Sequence, residues 1–153
     1  MKEKILNREE LTKLLKRKKK ANKKIVFTNG CFDLIHIGHI WYLSKARNLG
    51  DLLVIGLNTD RSVSAIKPGR PIINQEQRAV VLSALEMVDY VTFFDEDTPY
   101  ELIKTLRPDI LVKGADWALE DIVGREFVKE VQRIEVVEGI STSKIIEKII
   151  KSQ

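Results

Sequence analysis

The sequence is short of several residue types, and each shortage removes a class of protein. A single cysteine, Cys31, among 153 residues leaves no partner for an intramolecular disulfide. That excludes a disulfide-stapled secreted scaffold and fits a reducing, cytoplasmic setting. Apolar runs are short, and none approaches the roughly 20 residues of a membrane-spanning helix. Met1-Lys2-Glu3-Lys4 opens charged sequence where a signal peptide would be apolar, so neither secretion nor membrane insertion is expected. Only four prolines occur, and no Gly/Ser/Pro-rich stretch divides the chain. The length suits one domain with a sizeable core. Histidine occurs twice, at His36 and His39, and nowhere else.

Positive charge is present in excess but clustered. Lys16, Arg17, Lys18, Lys19, Lys20, Lys23 and Lys24 crowd into nine residues, and the net charge of +4 turns to −3 once they are set aside. Such a run suits nucleic acid or an anionic surface, a solvated helix end, or a device that concentrates an anionic substrate. No aromatic residues interleave with it, as they do on single-stranded nucleic-acid platforms. Neither a nucleic-acid nor a membrane partner is expected, and a non-catalytic nucleic-acid-binding module stands as the alternative from another class.

Along the chain, helical and strand-like patterns alternate. Asn7 with Glu9 and Glu10 reads as a helix start, followed by Leu11, Leu14 and Leu15 at helical spacing. Ile25–Thr28 reads as a first strand, 38–48 as a helix, Leu52–Leu57 as a second strand and 58–74 as a polar loop. Gln75–Met87 reads as a helix, Tyr90–Phe94 as a third strand, and Pro99 opens a helix that ends at Leu106. Ile110–Val112 is expected as a fourth strand, 124–131 as a helix, Ile134–Val137 as a fifth strand, and Ser141 as the cap of a last helix through Ile150. The strands are continuous apolar runs, which argues for a parallel sheet covered on both faces. The expected fold is a single-domain α/β Rossmann-like open sandwich over 1–153: five parallel strands, a helical and basic segment at 1–23, and a catalytic core at 24–150. Such sheets bind ligands beyond the carboxyl ends of their strands.

The segment after the first strand carries the chemistry. Asn29-Gly30-Cys31-Phe32-Asp33-Leu34-Ile35-His36-Ile37-Gly38-His39 leaves the strand and opens a helix. At i and i+3 the histidines face the same way, Gly38 lets a bulky ligand approach the backbone, and the helix N-terminus favours an anion. The pair reads as a phosphate clamp, as structural histidines, or as part of a zinc site, for which no partner motif is present.

These residues resemble the signature of the cytidylyltransferase-like nucleotidyltransferases. The HxGH histidines of that family contact the triphosphate of the nucleotide. A second signature of the family is matched by Gly139-Ile140-Ser141-Thr142-Ser143, before the last helix. The resemblance implies catalytic roles for His36 and His39. It also implies a nucleotide site of Asn29, Gly30, Cys31, Phe32, Asp33, Gly38, Asp116, Trp117, Ser141, Thr142 and Ser143, with Asp116 and Trp117 lining the nucleotide or the sugar pocket. Lys67, in Lys67-Pro68-Gly69-Arg70-Pro71, is expected to bind substrate or phosphate, or else is a solvated loop lysine. Arg78 is expected to reach the phosphates, or else forms a surface salt bridge. Cys31 reads as small and structural, since its motif holds no paired base.

Within the family two branches compare. Glycerol-3-phosphate cytidylyltransferases read GTFD where this chain has Gly30-Cys31-Phe32-Asp33, and carry an arginine where it has Val136. The branch acting on D-glycero-β-D-manno-heptose 1-phosphate reads NGCFD and VKGxDW…IVG. Asn29–Asp33, Val112–Trp117 and Ile122–Gly124 are similar to those patterns. That likeness implies AMP transfer from ATP, with Mg2+ carried by the nucleotide and no metal held by protein ligands. It further implies a homodimer and a separate heptose 7-phosphate kinase.

Overall fold

The computed structural model describes all of residues 1–153. It contains one five-stranded sheet in which every pairing is parallel. Helix α1 (Arg8–Lys20) precedes β1 (Ile25–Gly30), α2 (Ile37–Arg47) and β2 (Leu52–Asn58). Then come α3 (Asp60–Ile66), α4 (Gln75–Ser83), β3 (Tyr90–Phe94), α5 (Tyr100–Leu106), β4 (Ile110–Gly114), β5 (Glu130–Ile134) and α6 (Thr142–Lys151). The strand order β3-β2-β1-β4-β5 reverses direction between β1 and β4, the doubly wound arrangement expected from the sequence. No helix is long and apolar enough to cross a membrane.

Strand side chains alternate between two cores. Val26, Leu53, Ile55, Ile110 and Val112 point to one face, where they meet Leu43 and Ala46 of α2 and Ala79 and Leu82 of α4. Ile25, Phe27, Val54 and Leu111 point to the other, against Leu11 and Leu15 of α1 and Leu102, Ile103 and Leu106 of α5. Both faces are buried, which is why the strands read as unbroken apolar runs. Helix α1 starts in a capping box: Asn7 accepts from the Glu10 N–H and Glu10 accepts from the Asn7 N–H. Its last turn is Arg17–Lys20, cations set against the negative end of the helix dipole. Lys19 also donates to the carbonyls of Leu106 and Arg107. The basic run thus sits at the amino ends of β1 and β4, opposite the end where ligands bind.

Several expectations are corrected. The fifth strand is Glu130–Ile134, not Ile134–Val137, because its register is set by β4, which pairs Ile110 with Glu130 and Gly114 with Ile134. The helix expected over 124–131 is a single 3-10 turn, Arg125–Phe127, entered through Gly124 at φ +85°. The loop expected over 58–74 contains α3, capped by Thr59, and α4 stops at Ser83, short of Met87. The amino-terminal segment adds a bridge from Ile5 to Val91, closing the outer edge of β3.

One feature of the sheet creates the site. β1 follows β2 over its whole length but pairs with β4 only at Val26 and Phe27. Beyond Phe27 the two strands part. The Thr28 hydroxyl, 2.9 Å from the Val112 carbonyl, and the Tyr42 hydroxyl, 2.8 Å from Thr28, bridge the opening. On the α5 side, Gly56 is required because a Cβ there would lie 2.7 Å from the Phe27 ring and 3.1 Å from Leu102. Gly56→Ala is expected to cost about 1–3 kcal/mol of stability through overpacking, measured by urea unfolding. Adding Phe27→Leu should recover part of that loss, and strictly additive losses would contradict the assigned packing.

Candidate active site

The chain leaves β1 through a tightly folded loop. Phe32 and Leu34 adopt left-handed backbone conformations, at φ +46° and +55°, which side-chain-bearing residues seldom hold without compensating contacts. The compensation comes from Asp33. Its fully buried carboxylate receives Arg70 Nε at 2.6 Å and the N–H groups of Ile72 and Ile73 at 2.8 and 3.0 Å. Burial alone would raise the Asp33 pKa, but these hydrogen bonds outweigh it and hold the group below the ordinary carboxylate range. The Asp33 carbonyl accepts from the Thr142 hydroxyl at 2.7 Å. One residue therefore ties together the loop after β1, the loop after α3 and the head of α6.

His36 and His39 occupy the N-cap and third position of α2, and they cap the helix reciprocally. His36 Nδ1 accepts from the Gly38 N–H at 3.1 Å, and His39 Nδ1 accepts from the His36 N–H at 3.2 Å. An Nδ1 that accepts is unprotonated, so in each neutral ring the proton sits on Nε2. The rings lie 4.0 Å apart. Burial lowers the His36 pKa. His39 is lowered to about 4, by burial first and then by the neighbouring His36 and Lys67. The site therefore carries two neutral imidazole donors near pH 7. Gly38 leaves room for this: a Cβ there would lie 2.9 Å from His36 Cε1.

The histidines open on a cavity of about 430 Å3 at the parted ends of β1 and β4. Its far wall is the head of α6, where the Ser141 hydroxyl caps the Lys144 N–H at 3.2 Å. The N–H groups of Thr142 and Ser143 have no helical partner. Two helix N-termini thus converge on one space, an arrangement suited to phosphate. The β4 end supplies Lys113, whose ammonium lies 4.9 Å from the centre of the Trp117 ring. Burial pulls the Lys113 pKa down to about 8, against the charge of Asp116, which favours the cation. Trp117 itself is 46% exposed. A wider, open depression of about 830 Å3 lies among Lys19, Lys24 and Arg107 at the opposite end of the sheet and contains neither histidine.

All but one of the residues singled out in the sequence line this cavity: Asn29, Gly30, Cys31, Phe32, Asp33, His36, Gly38, His39, Lys67, Asp116, Trp117, Ser141, Thr142 and Ser143. Arg78 does not. It is buried and spends its guanidinium on the carbonyls of Ile73 and Cys31 and on Asp60, at 2.9, 2.6 and 2.8 Å. Arg78 supports the loop floor, and its salt bridge runs from a buried guanidinium to the half-exposed Asp60. Two roles narrow as well: the Thr142 hydroxyl is engaged by Asp33, and Asp33 acts as an anchor. Arg70, Lys113 and Tyr42 also line the cavity. Arg70 and Lys113 stand inside sequence stretches already notable for their neighbours, but only the fold shows Arg70 meeting Asp33.

The His39 shift has a measurable consequence. Between its ordinary value of 6.5 and about 4, the unfolded chain takes up a proton that the folded chain refuses. The stability is fully present above that window and is lost as pH falls through it. His39→Gln is expected to flatten the fall in unfolding free energy between pH 7 and 4.5. Equal slopes for the variant and the parent would contradict the neutral, buried imidazole.

The chain is 54% identical to the bifunctional protein HldE of Citrifermentans bemidjiense, over 97% of this chain and 32% of that protein. It is 57% identical to bifunctional protein HldE of Campylobacter jejuni subsp. doylei, over 95% of this chain and 31% of that one. It thus spans about a third of the length of these curated relatives. Among solved structures, a lipopolysaccharide core biosynthesis protein of Thermoplasma volcanium superposes with a TM-score of 0.63 at 29% identity, covering 76% of this chain and 99% of that one. A pantothenate synthetase of Thermus thermophilus, 16% identical over 93% of this chain and 67% of that one, shares the fold with a TM-score of 0.61. Residues 27–148 match the cytidylyltransferase-like family, and the chain belongs to that family of nucleotidyltransferases.

Proposed function

We propose that the protein transfers AMP from ATP to D-glycero-β-D-manno-heptose 1-phosphate, giving ADP-heptose and pyrophosphate. The observation that carries the transfer chemistry is the pair of neutral Nε2–H donors placed between two helix N-termini at the parted strands. The sugar acceptor is supported by the Asn29–Asp33 and Val112–Trp117 sequences, by the HldE relatives and by the likeness to a lipopolysaccharide core biosynthesis protein.

In the proposed reaction an oxygen of the acceptor phosphate attacks the α-phosphorus of ATP in line. The new P–O bond forms as the bond to the β-phosphate breaks, and pyrophosphate leaves with the electron pair. The nucleophile is already ionised, so no general base is required, and catalysis rests on positioning and on offsetting charge. His36 and His39 donate from Nε2 to the phosphate oxygens. Being neutral, each ring donates from Nε2 while its Nδ1 stays bound to the backbone N–H that orients it. The N–H groups of Thr142 and Ser143, with the Ser143 hydroxyl, hold the outer phosphates, and Lys67 and Arg70 offset their charge. Mg2+ enters as part of the nucleotide substrate. No group of three or more His, Cys, Asp and Glu side chains is placed to hold an ion, and Mg2+ readily takes its oxygens from phosphate and water. The acceptor must itself be phosphorylated at O1, which we assign to a separate heptose 7-phosphate kinase. Its product would carry phosphates at O1 and O7, so hydrolysis of the 7-phosphate must come before AMP transfer. We further propose that the protein acts as a cytoplasmic homodimer.

The test is pyrophosphate release with ATP or CTP, each offered heptose 1-phosphate or glycerol 3-phosphate. Turnover is expected with ATP and heptose 1-phosphate. His36→Ala and His39→Ala should each lower it by about 100-fold or more, with the folded circular-dichroism spectrum kept. Preference for CTP with glycerol 3-phosphate would establish the cytidylyltransferase reading instead. Parental turnover in both histidine variants would overturn the mechanism.

A further inference from the structure

A second cavity, about 310 Å3, adjoins the first and shares with it Asn29, Gly30, Cys31, Lys67, Lys113 and Trp117. Its own lining differs in chemistry. Where the first cavity gathers His36, His39 and Arg70, the second has the side chains of Asn58, Asp97, Thr98 and Asp121. We infer that this second cavity holds the sugar ring of the acceptor, with Lys113, on the shared wall, binding the acceptor's phosphate. The inference rests on the AMP-transfer reading and names the site for its second substrate.

The partition of charge is the first argument. Asp97 and Asp121 would repel a triphosphate, whereas carboxylates accept hydrogen bonds from the hydroxyls of a polyol, and Thr98 and Asn58 can add further bonds. The half-exposed Trp117 offers an apolar ring for the C–H face of a sugar. Asn29, also on the shared wall, has a buried Oδ1 without a partner. A group of that kind needs a donor, and a hydroxyl is one where a phosphate oxygen is not.

The second argument is Lys113. Its ammonium faces the Trp117 ring and enters none of the ion pairs or side-chain hydrogen bonds of the chain. Asp116 is near enough to favour the charge but does not pair with it. A largely desolvated ammonium with three unused donors is costly until an anion reaches it. Standing between the cationic cavity and the hydroxyl-binding one, it is placed to draw the attacking phosphate toward the nucleotide.

Steady-state kinetics and calorimetric binding of heptose 1-phosphate to the full chain test this. Lys113→Met is expected to raise the KM for heptose 1-phosphate by about 10- to 100-fold, the loss typical of a hydrogen bond to a charged group. The KM for ATP should stay within about twofold of the parent, and Lys113→Arg should recover most of the loss by restoring a cation. Asp97→Asn and Thr98→Val, on an exposed loop, should weaken heptose 1-phosphate binding in the same direction, and they decide the matter even if Lys113→Met does not fold. A rise in the KM for ATP instead, or heptose 1-phosphate binding equal to the parent in the loop variants, would overturn the assignment. Absence of AMP transfer by the parent chain would sink the functional reading. In that event calorimetry still judges the cavity, and no binding of heptose 1-phosphate by the parent counts against it.

Discussion

The imidazoles at the head of α2 accept hydrogen bonds from the backbone that carries them, and much of the site follows from that. A helix N-terminus needs acceptors for its first N–H groups. In most helices Ser, Thr, Asp or Asn provides the first of these; here it is His36, with His39 completing the reciprocal box. The three-residue spacing is the spacing of a capping box, so the HxGH pattern is a structural rule whatever chemistry the rings perform. Capping fixes the rings, assigns the proton of each to Nε2, and leaves that proton for a ligand. Gly38 is part of the same device, since a side chain there would strike the His36 ring.

Around this pair the molecule is organised by one divergence and one anchor. β1 and β4 separate beyond Phe27, where β1 stays paired with β2 and β4 with β5. The opening lies where strand order reverses, the general place for ligands in such sheets. Asp33 then draws the loops after β1 and α3 together, and its carbonyl draws in α6. The left-handed Phe32 and Leu34 are held by these bonds.

Much of this was readable in the sequence where the signal is local. Tyr90–Phe94 matches its expected span, the Asn7 and Ser141 caps stand where their residue types put them, and the fold class follows from unbroken apolar strands. What was not readable is non-local. Glu130-Val131-Gln132-Arg133 looks too polar for a strand, yet it lies at the sheet edge with only one neighbour, β4, to set its register. The apolar Val136 and Val137 beyond it are exposed and line the cavity instead. Arg78 shows the same limit. An arginine expected to reach phosphate looks like a ligand, but only the tertiary structure shows its guanidinium consumed by two carbonyls and Asp60. Lys113 shows the converse: a lysine at the end of a strand becomes notable once it is found without a counter-ion.

The central claim, that reciprocal capping holds both histidines as neutral Nε2–H donors, is tested most directly by nitrogen NMR of the protein labelled at its two histidines. Both rings should show a protonated Nε2 and a bare Nδ1 at pH 7, and His39 should keep that pattern as the pH is lowered well below 6.5, toward its value of about 4. A His39 ring that titrates near 6.5, or a proton on Nδ1 of either ring, would contradict the account.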